Sequence, residues 1–172
     1  MKKTLLTLII LIGVTLSSFA QKTEGGKFSI GIDAGLPVGD LRSIATYTIG
    51  GSLKYEHPIA DKLWLTASGG YTYIPYKNDI IIANLGYVKT NSGEGFIPLK
   101  AGIKYFFSDV IYGEGQVGAA IATQSGGNTK FVYAPGAGII FDKNIDIGIR
   151  YEAWAQSGGT LSQFALRLAY CF

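Results

Sequence analysis

The sequence has almost none of the residue types that most often build disulfides, metal sites and catalytic centres. It contains one cysteine and one histidine in 172 residues. Because Cys171 has no second cysteine to pair with, no intramolecular disulfide can form. A zinc site takes several ligands, and a Ser/His/Asp catalyst needs a base beside its nucleophile, so His57 alone supports neither. We therefore expect no catalytic, metal-binding or cofactor-binding residues, and we expect that the chain is not an enzyme.

These two residues have structural interpretations instead. His57 precedes Pro58 in a predicted short turn, where it would be solvated. Cys171 lies on the inward-facing parity of the last predicted strand, which favours a buried, inert thiol over a nucleophile.

Long apolar runs are also missing beyond residue 20. A membrane-spanning helix requires about 20 consecutive apolar residues. Lipid satisfies no backbone hydrogen bonds, so a chain that crosses a membrane without such a helix must do so as a closed β-barrel.

A block of positive charge is equally absent. The chain has 15 basic and 12 acidic residues. Without Lys2 and Lys3, which belong to the leader described next, 13 basic residues remain against 12 acidic ones, a net charge of +1. With no basic patch and no recognisable binding motif, we expect no nucleic-acid partner.

The first 20 residues have the pattern of a secretory signal peptide. Lys2 and Lys3 precede an apolar run from Leu5 to Leu16, and Ser18-Phe19-Ala20 places small residues at positions −3 and −1 of a cleavage site before Gln21. An N-terminal membrane anchor is the alternative, but the run is short for a span. We predict a cleaved signal peptide at 1–20, a short linker at 21–26 and one domain at 27–172.

Apolar residues alternate with polar or small ones in eight segments of this domain, as they do in strands. The segments are Lys27–Leu36, Thr46–Glu56, Lys62–Tyr73, Phe96–Phe107, Val110–Ala122, Phe131–Phe141, Ile145–Ala155 and Leu161–Phe172. Each has about the ten residues that a tilted membrane strand requires. The fold class is therefore predicted as all-β, a transmembrane eight-stranded antiparallel up-and-down β-barrel.

The predicted connections alternate in length. The short ones are His57–Asp61, Ser108-Asp109 and Asp142–Asn144, and the longer ones are Pro37–Ala45, Ile74–Gly95, Thr123–Lys130 and Gln156–Thr160. Outer-membrane barrels have short periplasmic turns and longer extracellular loops. This alternation predicts a Gram-negative outer-membrane location with the longer loops outside the cell.

Aromatic residues crowd toward the strand ends, which predicts two bands at the membrane interfaces. The band at the short-turn rim would contain Tyr55, Trp64, Tyr105, Phe106, Phe107, Phe141, Tyr170 and Phe172. The band toward the long-loop rim would contain Tyr47, Tyr71, Tyr73, Tyr76, Phe96, Phe131, Tyr133, Trp154 and Phe164.

The inward-facing parity carries five acids and five bases. They are Asp33, Lys54, Glu56, Lys100, Lys104, Glu114, Asp146, Arg150, Glu152 and Arg167. An eight-stranded barrel is just wide enough for side chains to fill it, and balanced charges avoid the cost of unpaired buried ions. The pattern favours a self-neutralising polar plug over a solute or proton pathway. We expect contacts of Lys100, Lys104, Arg150 and Arg167 with Glu114 and Glu152.

The segment Ile74–Gly95 is long for a connection, and such loops often have their own structure or a function. A hairpin that extends the flanking strands is the favoured interpretation. The alternative is a surface-binding loop for an extracellular ligand or protein, for which the candidate residues are Ile80, Ile81, Ile82 and Tyr87.

The last segment ends on an aromatic residue, as does the terminal strand by which outer-membrane barrels are recognised for assembly. The candidate assembly signal is Phe164, Leu166, Leu168, Tyr170 and Phe172. We expect outer-membrane lipid and the barrel-assembly machinery as partners, and a monomer.

Several short motifs resemble those of small outer-membrane β-barrel proteins of the Bacteroidota type, the porin-family or PorT-like barrels. These motifs are Gly35–Asp40, Phe96–Gly102, Tyr112-Gly113-Glu114, Ile149-Arg150-Tyr151-Glu152 and the terminal Phe172. The resemblance implies an outer-membrane barrel domain and contributes no catalytic residues.

Four functions compete. The first is a non-enzymatic barrel with a structural or surface-interaction role, and the second is a narrow OmpW-like conduit for small or apolar solutes. The third, a secreted barrel with a ligand in its lumen, would need an apolar interior and polar exterior, opposite to the charge placement here. The fourth, a barrel enzyme acting on lipids, would need a nucleophile–base pair that the sequence does not offer.

Overall fold

The structure is a computed structural model, which describes residues 25–77, 80–82, 86–88, 93–124, 126–156 and 158–172. The predicted signal peptide, 1–20, and most of the linker lie outside these residues. In chain order the elements are β1 (Lys27–Gly39), α1 (Asp40–Ile44), β2 (Thr48–Ala60), β3 (Leu63–Pro75), β4 (Ile80–Ile82), β5 (Gly86–Val88), β6 (Gly93–Phe106), β7 (Ile111–Ala122), β8 (Lys130–Phe141), β9 (Ile145–Gln156) and β10 (Gly159–Cys171).

Eight of these strands form one closed antiparallel barrel, in the order β1-β10-β9-β8-β7-β6-β3-β2. The last strand closes the sheet on the first, with Ser29 opposite Cys171 and Gly39 opposite Leu161. Closure removes both sheet edges, so every strand has two hydrogen-bonded neighbours. The predicted eight-stranded antiparallel fold is confirmed, and the predicted strand bounds differ from the observed ones by at most four residues.

The barrel is apolar outside and polar inside. On β1, for example, Ile32 and Leu36 are 67% and 68% exposed on the outer face, whereas Asp33 and Gly35 between them are buried. Strand side chains alternate between the two faces, so the period-two pattern of the sequence produces this arrangement directly. Among the described residues, no helix is long and apolar enough to cross a membrane.

The connections at one end of the barrel are residues 61–62, 107–110 and 142–144, and we call this the short-turn end. At the opposite, long-loop end, the connections are 40–47, 76–92, 123–129 and 157–158. The last of these is shorter than the predicted Gln156–Thr160, because β9 and β10 remain paired up to Gln156 and Gly159.

The long connection at 76–92 contains its own two-stranded sheet. β4 and β5 are antiparallel, with Ile81 opposite Tyr87 and Ile82 opposite Gly86. This agrees with the predicted hairpin. It is, however, a separate sheet and does not extend the barrel strands.

His57 was predicted in a turn, and this prediction is wrong. His57 lies in β2, half-buried and opposite Leu65 of β3. The strand continues because the register shifts between Pro58 and Ala60, and a bulge tolerates a proline that donates no hydrogen bond. The turn begins only at Asp61.

Some aromatic residues of the predicted interface bands face the lumen. Phe96 and Trp154 are 0% and 2% exposed and pack together inside the barrel, with ring centroids 4.9 Å apart. At the short-turn end, Phe106 packs against the inward-facing Tyr112, with centroids 5.8 Å apart. Trp64 packs in turn on Phe106 at 6.0 Å. The assignment of these residues to lipid interfaces is wrong, because strand parity decides the direction of a side chain and closeness to a strand end does not.

Candidate functional site: the barrel lumen

All ten charged residues predicted for the interior lie inside the barrel. They form two clusters at different heights, which we name by the end of the barrel that each is nearer to. The turn-side cluster is Lys54, Glu56, Lys104, Glu114 and Asp146, and the loop-side cluster is Asp33, Lys100, Arg150 and Glu152. Arg167 lies between them.

The turn-side cluster is centred on Lys104, whose side chain is 0% exposed. Its Nζ donates to Glu56 Oε1 and Oε2 at 2.9 and 3.1 Å and lies 3.4 Å from Asp146 Oδ2. Lys54 Nζ donates to Glu114 Oε2 at 2.7 Å and lies 3.6 Å from Glu56 Oε1. Two lysines thus face three carboxylates, and each of the five groups has an opposite charge within 4 Å.

Tyr112 also belongs to this cluster, and two glycines on neighbouring strands leave room for its ring. A Cβ atom at Gly138 or Gly148 would lie 2.3 or 2.8 Å from the Tyr112 hydroxyl, so only glycine leaves room for the ring on the next two strands. In this position Tyr112 Oη donates to Asp146 Oδ1 at 2.5 Å. The face of the ring receives Lys104 Nζ, 3.8 Å from the centroid, which is the geometry of a cation–π contact.

The loop-side cluster is centred on Glu152, which is 1% exposed. Its Oε2 accepts hydrogen bonds from Lys100 Nζ and Arg150 Nε, both at 2.6 Å, and its Oε1 accepts one from Trp154 Nε1 at 2.8 Å. Arg150 Nη1 donates to Asp33 Oδ1 at 2.9 Å. Glu152 therefore pairs with two cations and also accepts a hydrogen bond from the indole of Trp154.

Arg167 connects the two clusters. Its Nη1 lies 3.9 Å from Asp146 Oδ2 in the turn-side cluster. Its Nε donates to Ser52 Oγ at 3.0 Å, and Ser52 Oγ donates to Asp33 Oδ2 at 2.6 Å in the loop-side cluster. Charged groups buried from water are tolerated only when they are paired and hydrogen-bonded. The ten charged residues form one network in which each has an opposite charge within 4 Å.

The predicted pairings match this network only in part. Lys100 and Arg150 do contact Glu152. Lys104 instead pairs with Glu56 and Asp146 rather than with either predicted acid. The partner of Arg167 is also Asp146, and the partner of Glu114 is Lys54. Parity identifies which residues share the lumen, but the partner of each is set by strand stagger, which the sequence does not display.

An apolar layer fills the lumen at the long-loop end, and sequence reasoning missed it. Its residues are Leu41, Ala45, Ile74, Phe96, Ala120, Val132 and Trp154. The signal was present, because the inward parity of β6, β7, β8 and β9 becomes apolar near this end. Lys130, predicted in a loop, lies in β8 and is buried here, with Nζ 4.4 Å from the centroid of the Phe96 ring.

The short helix α1 carries Leu41 into this layer. Gly39 has a φ of 56°, a left-handed conformation that glycine adopts readily, and it turns the chain from β1 into the helix. Lys77 N donates to Ile44 O at 2.7 Å, and Ala45 forms a bridge with Tyr76, so the segment is tied across the barrel mouth to the residues after β3.

Tyr76 also stabilises the long-loop end of the barrel. Its hydroxyl donates to Glu94 Oε2 at 2.6 Å, and its ring packs against the apolar layer. Burial, followed by the hydrogen bond to Glu94 and the charge of that carboxylate, raises the pKa of Tyr76. The phenol therefore remains a donor throughout the physiological pH range.

The residues of the candidate assembly signal lie on the outer face of β10 and directly after it. Phe164, Leu166, Leu168, Tyr170 and Phe172 are all exposed. Of the candidate surface-binding residues, Ile80, Ile81 and Ile82 are in β4 and Tyr87 is in β5, opposite Ile81.

The lumen offers ion pairs and apolar packing as its chemistry. Within the described ranges, no group of three or more histidine, cysteine, aspartate or glutamate side chains has a geometry that could hold a metal ion. Cys171 is buried at the short-turn end, where Asn144 Nδ2 donates to its backbone carbonyl at 2.8 Å.

The barrel is similar to solved structures of small outer-membrane proteins. A crystal structure of Ail, the attachment invasion locus protein of Yersinia pestis, has a TM-score of 0.60 and 18% identity, covering 87% of this chain and 100% of that one. The N-terminal β-barrel domain of Pseudomonas aeruginosa OprF has a TM-score of 0.54 and 13% identity, covering 85% and 97%. A de novo designed transmembrane β-barrel has a TM-score of 0.56 and 16% identity, covering 88% and 100%.

No family model and no curated protein sequence matches the chain. Because these structures are only 13–18% identical to the chain, the similarity establishes the fold alone. The chain therefore has the fold of the small, eight-stranded outer-membrane β-barrels.

Proposed function

We propose that the chain is an integral outer-membrane protein, non-enzymatic, with a closed lumen and a structural or surface-interaction role. The apolar outer face of the barrel supports this location. An arginine or lysine that faced lipid at the middle of the membrane would cost about 2–4 kcal/mol, and the ten charged residues of the central strands point inward instead. The similarity in fold to outer-membrane proteins supports the same conclusion.

The observation that supports a closed lumen is that side chains pack or form ion pairs inside the barrel at three heights. The apolar layer fills the long-loop end, and the loop-side and turn-side clusters fill the centre and the short-turn end. The space left between the clusters is a cavity of about 40 Å³. At about 10–15 Å³ for each water molecule, this cavity has room for about three waters, which supports a closed lumen over a solute pathway.

The orientation in the membrane follows from the connections. We propose that the short-turn end is periplasmic and the long-loop end extracellular, as in other outer-membrane barrels. This requires export, and residues 1–20 supply the signal peptide for it. The motifs listed above further support membership of the Bacteroidota-type, porin-family or PorT-like barrels, and we propose a monomer in the membrane with lipid around its outer face.

The long-loop end is the surface we propose for interaction with an extracellular ligand or protein. The hairpin of β4 and β5 carries Ile80, Ile81, Ile82 and Tyr87 there. Among proteins of similar fold, Ail has been solved in complex with the heparin analogue sucrose octasulfate. A complex of a protein of this fold with a sulfated ligand supports the proposal of an interaction surface here.

Deletion of residues 78–92 tests the interaction surface. β3 and β6 remain paired up to Pro75 and Gly93, so joining Lys77 to Gly93 leaves the barrel ladder intact. We expect heat-modifiable migration of the deletion variant to be unchanged and adhesion of cells to immobilised sulfated glycans to be lost. Adhesion equal to that of the full chain would contradict a role of the hairpin.

The location and the closed lumen are tested together on the full chain. We expect the protein to fractionate with outer membranes, to migrate differently on a gel before and after boiling, and to give no conductance in planar bilayers. Absence from that membrane would overturn the location. Swelling of proteoliposomes in small sugars would favour the OmpW-like conduit instead.

A further inference from the structure

One cavity lies between the two ionic clusters and is lined by charged and uncharged polar side chains together with glycines and small apolar residues. Its volume is about 40 Å³. The charged residues that line it are Asp33, Lys54, Lys100, Glu114, Arg150 and Arg167, and Ser52, Ser68 and Gln116 add uncharged polar groups. Both clusters therefore contribute to the same cavity.

Two charged side chains at this cavity have incomplete hydrogen bonding. Glu114 Oε1 and Arg167 Nη1 are buried and have no hydrogen-bond partner among the described residues. The remaining polar atoms of these side chains are engaged, since Glu114 Oε2 accepts from Lys54, and Arg167 Nε and Nη2 donate to Ser52 and Ser29. Arg167 Nη1 is 3.9 Å from Asp146 Oδ2, which is too long for a hydrogen bond.

The unpartnered atoms are one acceptor and one donor. A buried charged group that lacks a hydrogen bond is costly, so the site favours a molecule that can both donate to a carboxylate and accept from a guanidinium. Water does both. At about 10–15 Å³ for each molecule, the cavity has room for about three waters.

The charge balance of the lumen distinguishes water from an ion. The ten charges of the two clusters and Arg167 cancel, so a chloride or a cation in the cavity would add an unbalanced charge among buried groups that are already paired. We infer that the cavity is a built hydration site, in which a cluster of about three water molecules bridges Glu114 Oε1 to Arg167 Nη1. These waters join Glu114 of the turn-side cluster to Arg167, which in turn contacts the loop-side cluster by way of Ser52.

The test is a crystal structure of the full mature chain grown in sodium bromide, together with two variants. In the wild type we expect water density within about 2.6–3.2 Å of both Glu114 Oε1 and Arg167 Nη1. Glu114→Met should lose the bridging waters, because its thioether occupies the space and accepts hydrogen bonds only weakly. Glu56→Gln is the matched control, since Glu56 is a buried acid of the same cluster that does not line the cavity, and it should keep them.

Two results would overturn the inference. An anomalous bromide peak beside Arg167 would identify an anion site instead. Direct contact between Glu114 Oε1 and Arg167 Nη1, with no density between them, would show that the cavity closes.

A measurement on the wild type keeps the inference testable if Glu114→Met does not fold. In water-edited solid-state NMR spectra of the lipid-embedded protein, we expect rapid magnetisation transfer from water to the Arg167 guanidinium. The buried indole N–H of Trp154, which donates to Glu152, should show much slower transfer. Equal and slow transfer to both groups would mean a dry cavity.

Discussion

Glu152 is the centre of the loop-side cluster. It accepts hydrogen bonds from Lys100, Arg150 and Trp154 while it is 1% exposed. Lys100 has no other ion pair among the described residues, and Arg150 would keep only Asp33. Replacement of Glu152 therefore leaves positive charge without compensation in an enclosed space.

Glu152→Ala is expected to lower the free energy of unfolding by about 3–5 kcal/mol, the range for removal of one partner of a buried ion pair. The measurement is a urea titration of the refolded protein in micelles, followed by the gel shift between folded and unfolded barrel. Asp109→Ala is the control, because Asp109 is an acid in an exposed turn and should change the midpoint little. Coinciding titrations for the wild type and Glu152→Ala would mean that the pairs contribute nothing.

At the scale of single residues, the direction in which each charged side chain points could be predicted from the sequence. The inward parity of the ten charged residues follows from alternation alone, because a lipid-facing charge is penalised at every strand. The same alternation places Phe96 and Trp154 inside, and the expectation that aromatic residues at strand ends face the interface obscured this. The individual ion pairs could not be predicted from the sequence, because side chains as long as Lys104 reach partners across the lumen rather than on an adjacent strand.

At the scale of elements, α1 is the piece that periodicity could not reveal. It has five residues, too few for a 3.6-residue repeat to be recognised, and it is held by contacts with Lys77 and Tyr76 across the mouth rather than by its own sequence. The eight barrel strands were recognisable because each repeats its pattern over about ten residues. The extension of β2 past His57 was not, because Pro58 is an ordinary sign of a turn.

Two substitutions in α1 separate packing from helix formation. Leu41 is buried in the apolar layer, whereas Ile44 in the same helix is exposed. Leu41→Ala is expected to cost about 2–5 kcal/mol in the free energy of unfolding, as for other buried leucines. Ile44→Ala removes a side chain of the same size and should cost about 0.5 kcal/mol or less. Equal costs in the same urea titration would mean that α1 does not seal the mouth.

The terminal strand offers a second matched pair. Phe172 and Phe107 are both aromatic residues at the short-turn end, each 65% exposed and each packed edge-on against a tyrosine. If Phe172 is read by the assembly machinery, Phe172→Ala should reduce the amount of assembled protein in the outer membrane several-fold, and Phe107→Ala should not. Refolding in micelles, which needs no machinery, should be similar for both variants. Equal cellular yields would exclude Phe172 as a signal.

At the scale of the whole molecule, the barrel has an apolar outer face, and two kinds of side chain, charged and apolar, pack inside its lumen. Ionic clusters occupy the centre and the short-turn end, and an apolar layer occupies the long-loop end. The sequence predicted the first filling but not the second. The balance of five acids and five bases is visible in the sequence, whereas the apolar layer is assembled from single residues of six different elements and from Ala45 in the connection after α1.

Because the ionic clusters and the apolar layer lie at different heights along the lumen, either of them alone should prevent ion conduction. Leu41→Ala loosens only the apolar layer and leaves Glu152 bound to Lys100 and Arg150 below it. The variant should therefore remain silent in planar bilayers even though it unfolds at lower urea than the wild type. Single-channel recordings on folded protein, verified by its gel shift, make the measurement. Discrete openings in Leu41→Ala would show that the ionic clusters yield to solvent, and that α1 acts as a gate over a conduit.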